Sequence, residues 1–393
     1  MVHACEQARD VLMLVEAELA VGMRPFLVTP RGFGAASTYL SKPPKEQAPQ
    51  ISLLQAWGHV RNWKRLLNQS NPDGSAEVLH AHSFSAGMAA VRSEAAAVVY
   101  DLARPVEQIA VQSGQSWLGR SFRAAEQFVL SHAGAVVVHE ERLLHECLER
   151  GVEKRNLFLV PYPIDSALFE SVPSRQWIQQ RIGATAQSVI FLVPLAVDPA
   201  EAEDSISILM SAFSLALGEF EPIKLVFIAD KNPEAILRQA EGHNLRRIMH
   251  VLPQSERDQA IASCDVVIAL KEGCTPPDWD GKQPDLILEA IARGRTVLAA
   301  ESNDRHAPLP SRSCVWFHPD DPRQLGQRAS FLARNPDFCR VLSATARQHL
   351  SGTRGFSAIG ALYDEVYAHA SANRKSRNGG HSEPQLVPLP MPL

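Results

Sequence analysis

The sequence of 393 residues lacks the features that mark several classes of protein. Its six cysteines are scattered and include no C-x-x-C pair, so neither a cysteine metal site nor a disulfide framework is predicted. The net charge of −4 leaves no broad basic surface for a nucleic-acid partner. No apolar run reaches the roughly 18 residues of a membrane-spanning helix. The N-terminus shows no charged segment followed by an apolar one, so no signal peptide is expected, and a cytoplasmic location fits these absences.

Apolar runs rich in Val, Ile, Leu and Ala alternate with helical patterns in both halves of the chain. The runs are continuous, which is typical of parallel strands covered by helices on both faces. The sequence therefore predicts an α/β protein with two doubly wound, Rossmann-like domains. The predicted strands are 25–29, 78–82, 97–102, 135–139, 157–161, 189–194, 224–229, 248–252, 265–270, 296–300 and 314–317. The predicted helices are 5–21, 85–95, 118–132, 140–150, 204–218, 232–242, 255–263, 285–293, 322–334, 336–350 and 357–370.

An irregular segment at 172–187 interrupts this alternation and predicts a domain break. We expect an N-terminal domain over 1–175 and a C-terminal domain over 186–354. A final helix within 355–372 carries apolar residues at helical spacing, so it packs on another element. The tail, 373–393, is polar and then rich in proline, and it is predicted to be disordered.

Three segments, in the same order along the chain, resemble family 4 glycosyltransferases. Residues 125–169 resemble the family stretch that ends in "Gly-Val" and "viP-x-x-x-D-x-x-x-F", here Gly151-Val152, Val160-Pro161, Asp165 and Phe169. DLILEAIARGRTVLAA resembles the family's LLEAMACGKPVVA, and residues 318–350 resemble its C-terminal helical pair. The resemblance, which extends from about 76 to 368, implies a GT-B architecture. Such a chain has two Rossmann-like domains facing a cleft and a C-terminal helix that crosses back to the first domain.

Glu289 lies among apolar residues of a predicted helix, and a buried carboxylate is costly unless it is paired or hydrogen-bonded. The helix begins near the carboxyl end of a predicted strand, where open α/β sheets bind ligands. The amide groups around Asp285, Leu286 and Ile287 are positioned to hold a diphosphate. The resemblance implies that Glu289 binds the ribose of a nucleotide sugar. The alternative is an ion pair with Arg293, four residues further on.

The sequence departs from the family pattern at three places. Eight residues before Glu289 the family has a second acid, but this chain has Gly281, and either Glu272 or Asp280 is the substitute. The loop 194–205 carries only acidic charges where the family has an Arg and a Lys for the diphosphate. Only four residues precede the first predicted helix, and they contain no glycine pair. These departures favour a second hypothesis, a catalytically inactive homologue that acts as a binding or regulatory protein.

Two residues of the N-terminal domain are candidates for catalysis. His82 ends one predicted strand, and Asp101 lies near the end of the next. The resemblance implies that this second position, where the family commonly has a histidine, lies near the acceptor, so Asp101 is expected to orient a sugar hydroxyl. For His82 the alternative is a strand-end histidine without a ligand. Asp278-Trp279-Asp280 spells a metal-binding D-x-D, but in a Pro-rich loop we interpret it as chance and predict no metal site.

We therefore predict a hexosyltransferase-type enzyme of polysaccharide or glycoconjugate synthesis. The resemblance implies a UDP- or GDP-sugar donor bound mainly to the C-terminal domain, a glycan or lipid-linked acceptor, retention at the anomeric carbon and no cofactor. Basic side chains at Arg120 and Arg123 are compatible with a peripheral membrane contact, although a solvated helix face is the alternative. A nucleotide-sugar epimerase, which shares the architecture, is the third hypothesis.

Overall fold

The chain divides into two compact units, each built on its own β-sheet. The computed structural model describes residues 1–4, 12–29, 32–35, 53–70, 76–93, 96–112, 119–170, 174–195, 197–217, 222–270, 286–301 and 312–378. The first unit comprises Met1–Tyr162 together with the chain from Ile359, and the second comprises Pro163–Ala358. None of the described helices is long and apolar enough to cross a lipid bilayer.

The first unit alternates strands and helices. Its strands are β1 (Val2–Ala4), β2 (Phe26–Thr29), β3 (Gly32–Ala35), β4 (Val78–Ala81), β5 (Ala97–Asp101), β6 (Ala135–Val138) and β7 (Leu157–Leu159). Its helices are α1 (Leu12–Ala20), α2 (Leu53–Ser70), α3 (Phe84–Val91), α4 (Val106–Gln112), α5 (Gly119–His132), α6 (Glu141–Glu149) and most of α15 (Phe356–Asn378). A short 3-10 turn covers Lys154–Asn156.

The second unit follows the same alternation. Its strands are β8 (Val189–Pro194), β9 (Ile223–Ile228), β10 (Met249–Leu252), β11 (Val266–Ala269), β12 (Thr296–Ala300) and β13 (Val315–Phe317). Its helices are α7 (Ser166–Glu170), α8 (Arg175–Ile182), α9 (Glu203–Leu217), α10 (Pro233–Gly242), α11 (Arg257–Ser263), α12 (Leu286–Ala292), α13 (Pro322–Arg334) and α14 (Pro336–Arg354). A second 3-10 turn covers Gln254–Glu256.

The first sheet has the order β3-β2-β1-β4-β5-β6-β7, and every neighbouring pair is parallel except β2 and β3. From β1 the strand order runs toward one edge of the sheet through β2 and β3, and from β4 it runs toward the other edge. The position between β1 and β4 is therefore the topological switch point, where doubly wound sheets bind ligands. β1 corrects the sequence interpretation. The first four residues, for which no strand was predicted, supply the strand that pairs with both β2 and β4. Three residues are too short to stand out as an apolar run.

The second sheet is entirely parallel and has the order β10-β9-β8-β11-β12-β13. β8 shows why its strands are continuously apolar. Phe191 and Val193 enter one hydrophobic cluster, while Ile190 and Leu192 enter another. Because helices cover both faces, all residues of β8 after Val189 are buried. The predicted fold class, two doubly wound α/β units, is confirmed.

The C-terminal helix, α15, belongs to the first unit from Ile359 onward, as the GT-B resemblance implies. Tyr363 and Tyr367 are buried in that unit, and the Asn373 side chain donates to the Gly134 carbonyl over 2.9 Å. The helix continues to Asn378 and thus enters the segment predicted to be disordered; the rest of that segment, 379–393, lies outside the described residues. In the second unit α8, which lies inside the predicted break at 172–187, packs into a core through Ile178 and Ile182.

A glycine in α13 allows close packing on α9. A Cβ built on Gly326 would lie 2.7 Å from the backbone oxygen of Ala212. Because no rotamer change relieves a clash with backbone, Gly326→Ala should lower the free energy of unfolding of the second unit by about 1–3 kcal/mol in urea denaturation. The control is Gly242→Ala in α10, where an added Cβ meets nothing within 4 Å, and its stability should stay level or rise slightly. Equal unfolding midpoints for the two variants would contradict the close packing.

Candidate functional site

Polar side chains gather at the carboxyl-terminal edge of the first sheet. His82 follows β4, Asp101 ends β5 and His139 follows β6, and because these strands are parallel neighbours their ends lie along one edge. His3 of β1 pairs in register with His80 of β4, directly at the switch point. Helices α1 and α15 add Glu18 and Tyr367. We call this set the histidine–carboxylate cluster; its members are His3, Glu18, His80, His82, Asp101, His139 and Tyr367.

Asp101 joins two histidines of the cluster. One carboxylate oxygen accepts from His82 Nδ1 at 3.0 Å and the other accepts from His139 Nε2 at 2.8 Å. The second nitrogen of His139, Nδ1, donates to the Val160 carbonyl at 2.6 Å, so this ring donates at both positions and is cationic. Burial alone would raise the pKa of Asp101, but His139 and His82 outweigh it and hold the pKa well below its usual value. Burial likewise opposes the charge on His139, yet Asp101 prevails and raises the pKa of His139.

A second hydrogen-bonded chain runs from His82 to Glu18. His82 Nδ1 donates to Asp101, so the other ring nitrogen of His82, Nε2, is an acceptor. His82 Nε2 lies 2.9 Å from His3 Nδ1. The other nitrogen of His3, Nε2, donates to a Glu18 oxygen 2.7 Å away. His3 and Glu18 are both fully buried, so each satisfies the other inside the core.

His80 has one engaged nitrogen and one that is not hydrogen-bonded. Its Nδ1 lies 2.8 Å from the Tyr367 hydroxyl, which also contacts Glu18. Because the hydroxyl donates its single proton to the carboxylate, it accepts from His80 Nδ1, and His80 Nε2 carries a lone pair. Among the described residues this buried nitrogen has no hydrogen-bond partner, and the nearest Asp101 oxygen is 3.9 Å away. Burial, then the neighbouring His82 and His3, lower the pKa of His80 well below its usual value.

The structure brings both predicted catalytic residues, His82 and Asp101, into direct contact, and their roles remain predictions. His139 was detectable by the same rule, since it ends a predicted strand next to the strand of Asp101. His3 was missed together with its strand. No local sequence pattern indicates that Glu18 and Tyr367 contact each other, because 349 positions separate them.

Glu289 of the second unit is buried, with only 2% of its surface exposed, and is paired with two arginines. One of its oxygens lies 3.1 Å from both Nε and Nη2 of Arg293, which is the alternative that the sequence offered. The other oxygen lies 2.8 Å from Nη2 of Arg257, an ion pair without hydrogen-bond alignment. Arg257, 32 positions earlier at the start of α11, was not anticipated. The ribose-binding role of Glu289 therefore remains a prediction beside an observed structural one.

The remaining predicted donor-site residues are only partly placed. Leu286 and Ile287 form the first turn of α12 and are buried in its hydrophobic cluster. Asp285 and Glu272 lie outside the described residues, as do Gly281 and Asp280. The predicted diphosphate contact at this helix remains a prediction.

The first unit matches a known domain family in sequence. Residues 7–163 match the Glycosyl transferase 4-like domain. No curated protein matches the chain.

Solved structures show the same fold at low identity. HepE (Alr3699) of Anabaena, crystallised with UDP, is 15% identical, with 93% of this chain and 98% of that chain covered and a TM-score of 0.60. A glycosyltransferase from Rickettsia africae is 12% identical over 94% of this chain and 97% of that chain, with a TM-score of 0.63. A putative UDP-N-acetylglucosamine 2-epimerase from Listeria monocytogenes is 12% identical over 99% and 98%, with a TM-score of 0.52. These similarities establish the two-unit fold.

Proposed function

We propose that the protein is a glycosyltransferase that moves a sugar from a nucleotide-sugar donor to a glycan or glycoconjugate acceptor. The observation that carries this proposal is the row of polar side chains at the carboxyl ends of β4, β5 and β6. It lies in the unit whose sequence matches a glycosyl transferase 4-like domain, at the sheet edge where open α/β folds bind ligands. HepE was crystallised with UDP, which supports uridine nucleotides as the first donors to test.

In this proposal Asp101 acts as a positioning residue. Both of its oxygens already accept from histidines, so it fixes the orientation of His82 and His139 at the acceptor side. The donor binds the second unit, with Glu289 toward the ribose and the first turn of α12 toward the diphosphate. Stabilising the departing diphosphate is the main electrostatic task, because negative charge develops there in the transition state.

Finer properties follow from the sequence resemblance and are part of the proposal. The donor sugar is a hexose carried on UDP or GDP, its anomeric configuration is retained and the product enters a polysaccharide or glycoconjugate. A peripheral contact with anionic lipid would use Arg120, because Arg123 already contacts Glu107 at 3.4 Å.

Calorimetric titration with a panel of UDP- and GDP-sugars, followed by chromatography of the products, tests the function. We expect one nucleotide class to bind and to be hydrolysed slowly without acceptor. Asp101→Asn should lower hydrolysis by about 100-fold, the range for a disrupted proton-transfer or positioning group, while donor affinity changes little because the donor binds the other unit. The matched control is His145→Gln, an exposed residue of α6, which should behave as wild type.

Two outcomes would contradict the proposal. Absence of binding to every nucleotide sugar would support the inactive homologue, whose sequence basis is the acidic loop 194–205. Conversion of a UDP-sugar into its epimer, with no transfer or hydrolysis, would support the epimerase.

A further inference from the structure

Three histidines at the centre of the cluster face one another. The ring centroids of His80 and His82 are 4.0 Å apart, and the His3 ring lies 5.1 Å from the first and 5.2 Å from the second. One ring nitrogen of each residue lies within 4.8 Å of those of the other two. His3 and His80 are fully buried and His82 is nearly so, so the three rings form an enclosed set of nitrogen ligands.

Each of these histidines is held from behind by a different partner. Glu18 binds His3 Nε2, Asp101 binds His82 Nδ1 and the Tyr367 hydroxyl binds His80 Nδ1. Histidines that ligate metals almost always donate their second ring nitrogen to a carboxylate or another oxygen, which fixes the tautomer and the ring orientation. All three rings have this arrangement. The nitrogens that remain available for a shared ligand are His3 Nδ1, His82 Nε2 and His80 Nε2.

The inward nitrogens differ in how well they are satisfied. His3 Nδ1 and His82 Nε2 share one proton over 2.9 Å. His80 Nε2 is buried and has no hydrogen-bond partner among the described residues. A buried imidazole nitrogen left unpaired is costly, and a cation bound by the three nitrogens would satisfy it while replacing the shared proton.

We propose that His3, His80 and His82 bind a divalent transition-metal ion of the zinc type. Imidazole ligands suit zinc, cobalt and nickel, whereas magnesium and calcium require oxygen ligands. Zinc bonds to histidine at about 2.0–2.1 Å, so tetrahedral ligand nitrogens lie about 3.3 Å apart, and closing the set requires shifts of about 1 Å. Asp101 and Glu18 supply negative charge behind the ligands. The site does not depend on the proposed function, and it leaves a fourth position for water or a substrate oxygen.

The ion would also stabilise the first unit. Its ligands come from β1 and from the end of β4, while the groups behind them come from α1, β5 and α15. Binding to the folded state alone raises stability in proportion to the logarithm of free metal over the dissociation constant. Micromolar Zn²⁺ is therefore expected to raise the melting temperature of protein treated with a chelator.

Zn²⁺ and Co²⁺ titration of the tag-free, chelator-treated full chain tests the site. We expect one Zn²⁺ per chain by calorimetry, and visible Co²⁺ absorption bands of the intensity given by four-coordinate sites. His80→Gln should weaken Zn²⁺ binding by more than about 100-fold. Tyr367→Phe, which removes only the group behind His80, should weaken it by about 10–100-fold. His145→Gln on the surface of α6 is the matched control and should bind like wild type.

Circular dichroism first establishes that each variant is folded. If His80→Gln does not fold, Tyr367→Phe and the Co²⁺ spectrum of the wild type still decide the question. The proposal is overturned if the wild type binds no stoichiometric Zn²⁺, or if Zn²⁺ binds equally well to the cluster variants. Either result would mean that these histidines form a hydrogen-bonded network only.

Discussion

Replacing Glu289 with alanine is expected to lower the free energy of unfolding of the second unit by about 3 kcal/mol. Removing one partner of a buried ion pair leaves an uncompensated charge, which costs about 3–5 kcal/mol. The substitution leaves Arg257 and Arg293 facing each other without their shared carboxylate. Their side chains are 13% and 12% exposed, so some access to water places the expected loss at the lower end of that range. Urea denaturation followed by tryptophan fluorescence measures it.

The control for this prediction is a glutamate that is paired with an arginine on the surface. Glu241 lies 3.7 Å from Arg246, and both side chains are more than half exposed. Glu241→Ala should therefore cost less than about 1 kcal/mol. A loss of similar size in both variants would show that Glu289 is not an energetically important ion-pair centre.

A glutamine at 289 separates the structural role of this residue from its predicted ligand role. Glu289→Gln keeps the shape of the side chain, but its single amide oxygen replaces only one of the two carboxylate oxygens that contact Arg293 and Arg257. Circular dichroism therefore first establishes that the second unit of this variant is folded. If the side chain also holds a ribose diol, affinity for the donor should fall by about tenfold or more, because hydrogen bonds to a charged group are worth about 1.5–3 kcal/mol. Wild-type affinity in a folded Gln variant would remove the ribose role and leave the ion pair as the reason for this buried carboxylate.

Glu289 shows which contacts of a buried residue can be predicted from the sequence. Its apolar neighbours predict burial, and burial of a carboxylate predicts a partner. The partner four residues away, Arg293, is visible because helical spacing brings the two together. Arg257 cannot be predicted in this way, since it lies on a different helix and only the tertiary fold brings its side chain to Glu289.

The candidate site shows the same division. Strand-end position together with the family resemblance made His82 and Asp101 candidates, and strand-end position alone would also have made His139 one. His3 was inaccessible to it, because β1 has three residues and its pairing with β4 is set by the whole sheet. Tyr367 arrives from the far end of the chain through the return of α15, which no local pattern encodes.

Helix α2 was not among the predicted elements although its pattern was present. Val60, Trp63 and Leu67 are buried, and their separations of three and four positions follow the helical period. By contrast, the long apolar strands of both sheets were predicted to within a residue or two at each end, because burial on two faces leaves a continuous apolar run.

Arg150→Ala should destabilise the first unit by about 3–5 kcal/mol near pH 8. Arg150 Nη1 lies 2.9 Å from a Glu126 oxygen, and the two side chains are only 4% and 1% exposed. The other Glu126 oxygen accepts from the Tyr100 hydroxyl and the Val106 amide, and these bonds remain after the substitution. Burial already raises the pKa of Glu126 and Arg150 opposes that rise, so removing the arginine raises the pKa further.

The destabilisation caused by Arg150→Ala is expected to depend on pH, and the raised pKa of Glu126 sets the direction of that dependence. A carboxyl group whose pKa is higher in the folded than in the unfolded state favours folding when it is protonated, and this contribution is lost as pH rises through the folded pKa. The cost of Arg150→Ala should therefore be largest at pH 8 and shrink toward pH 5, in urea denaturation at a series of pH values. Adding Glu126→Gln, a neutral mimic of the protonated acid, should restore much of the stability at pH 8 and make the remaining loss independent of pH.

Arg155→Ala, which breaks an exposed pair with Glu153, is the control and should cost less than about 1 kcal/mol at every pH. A cost of Arg150→Ala that stays constant from pH 5 to 8 would mean that Glu126 does not change its protonation state over this range when the arginine is removed, and it would contradict the prediction.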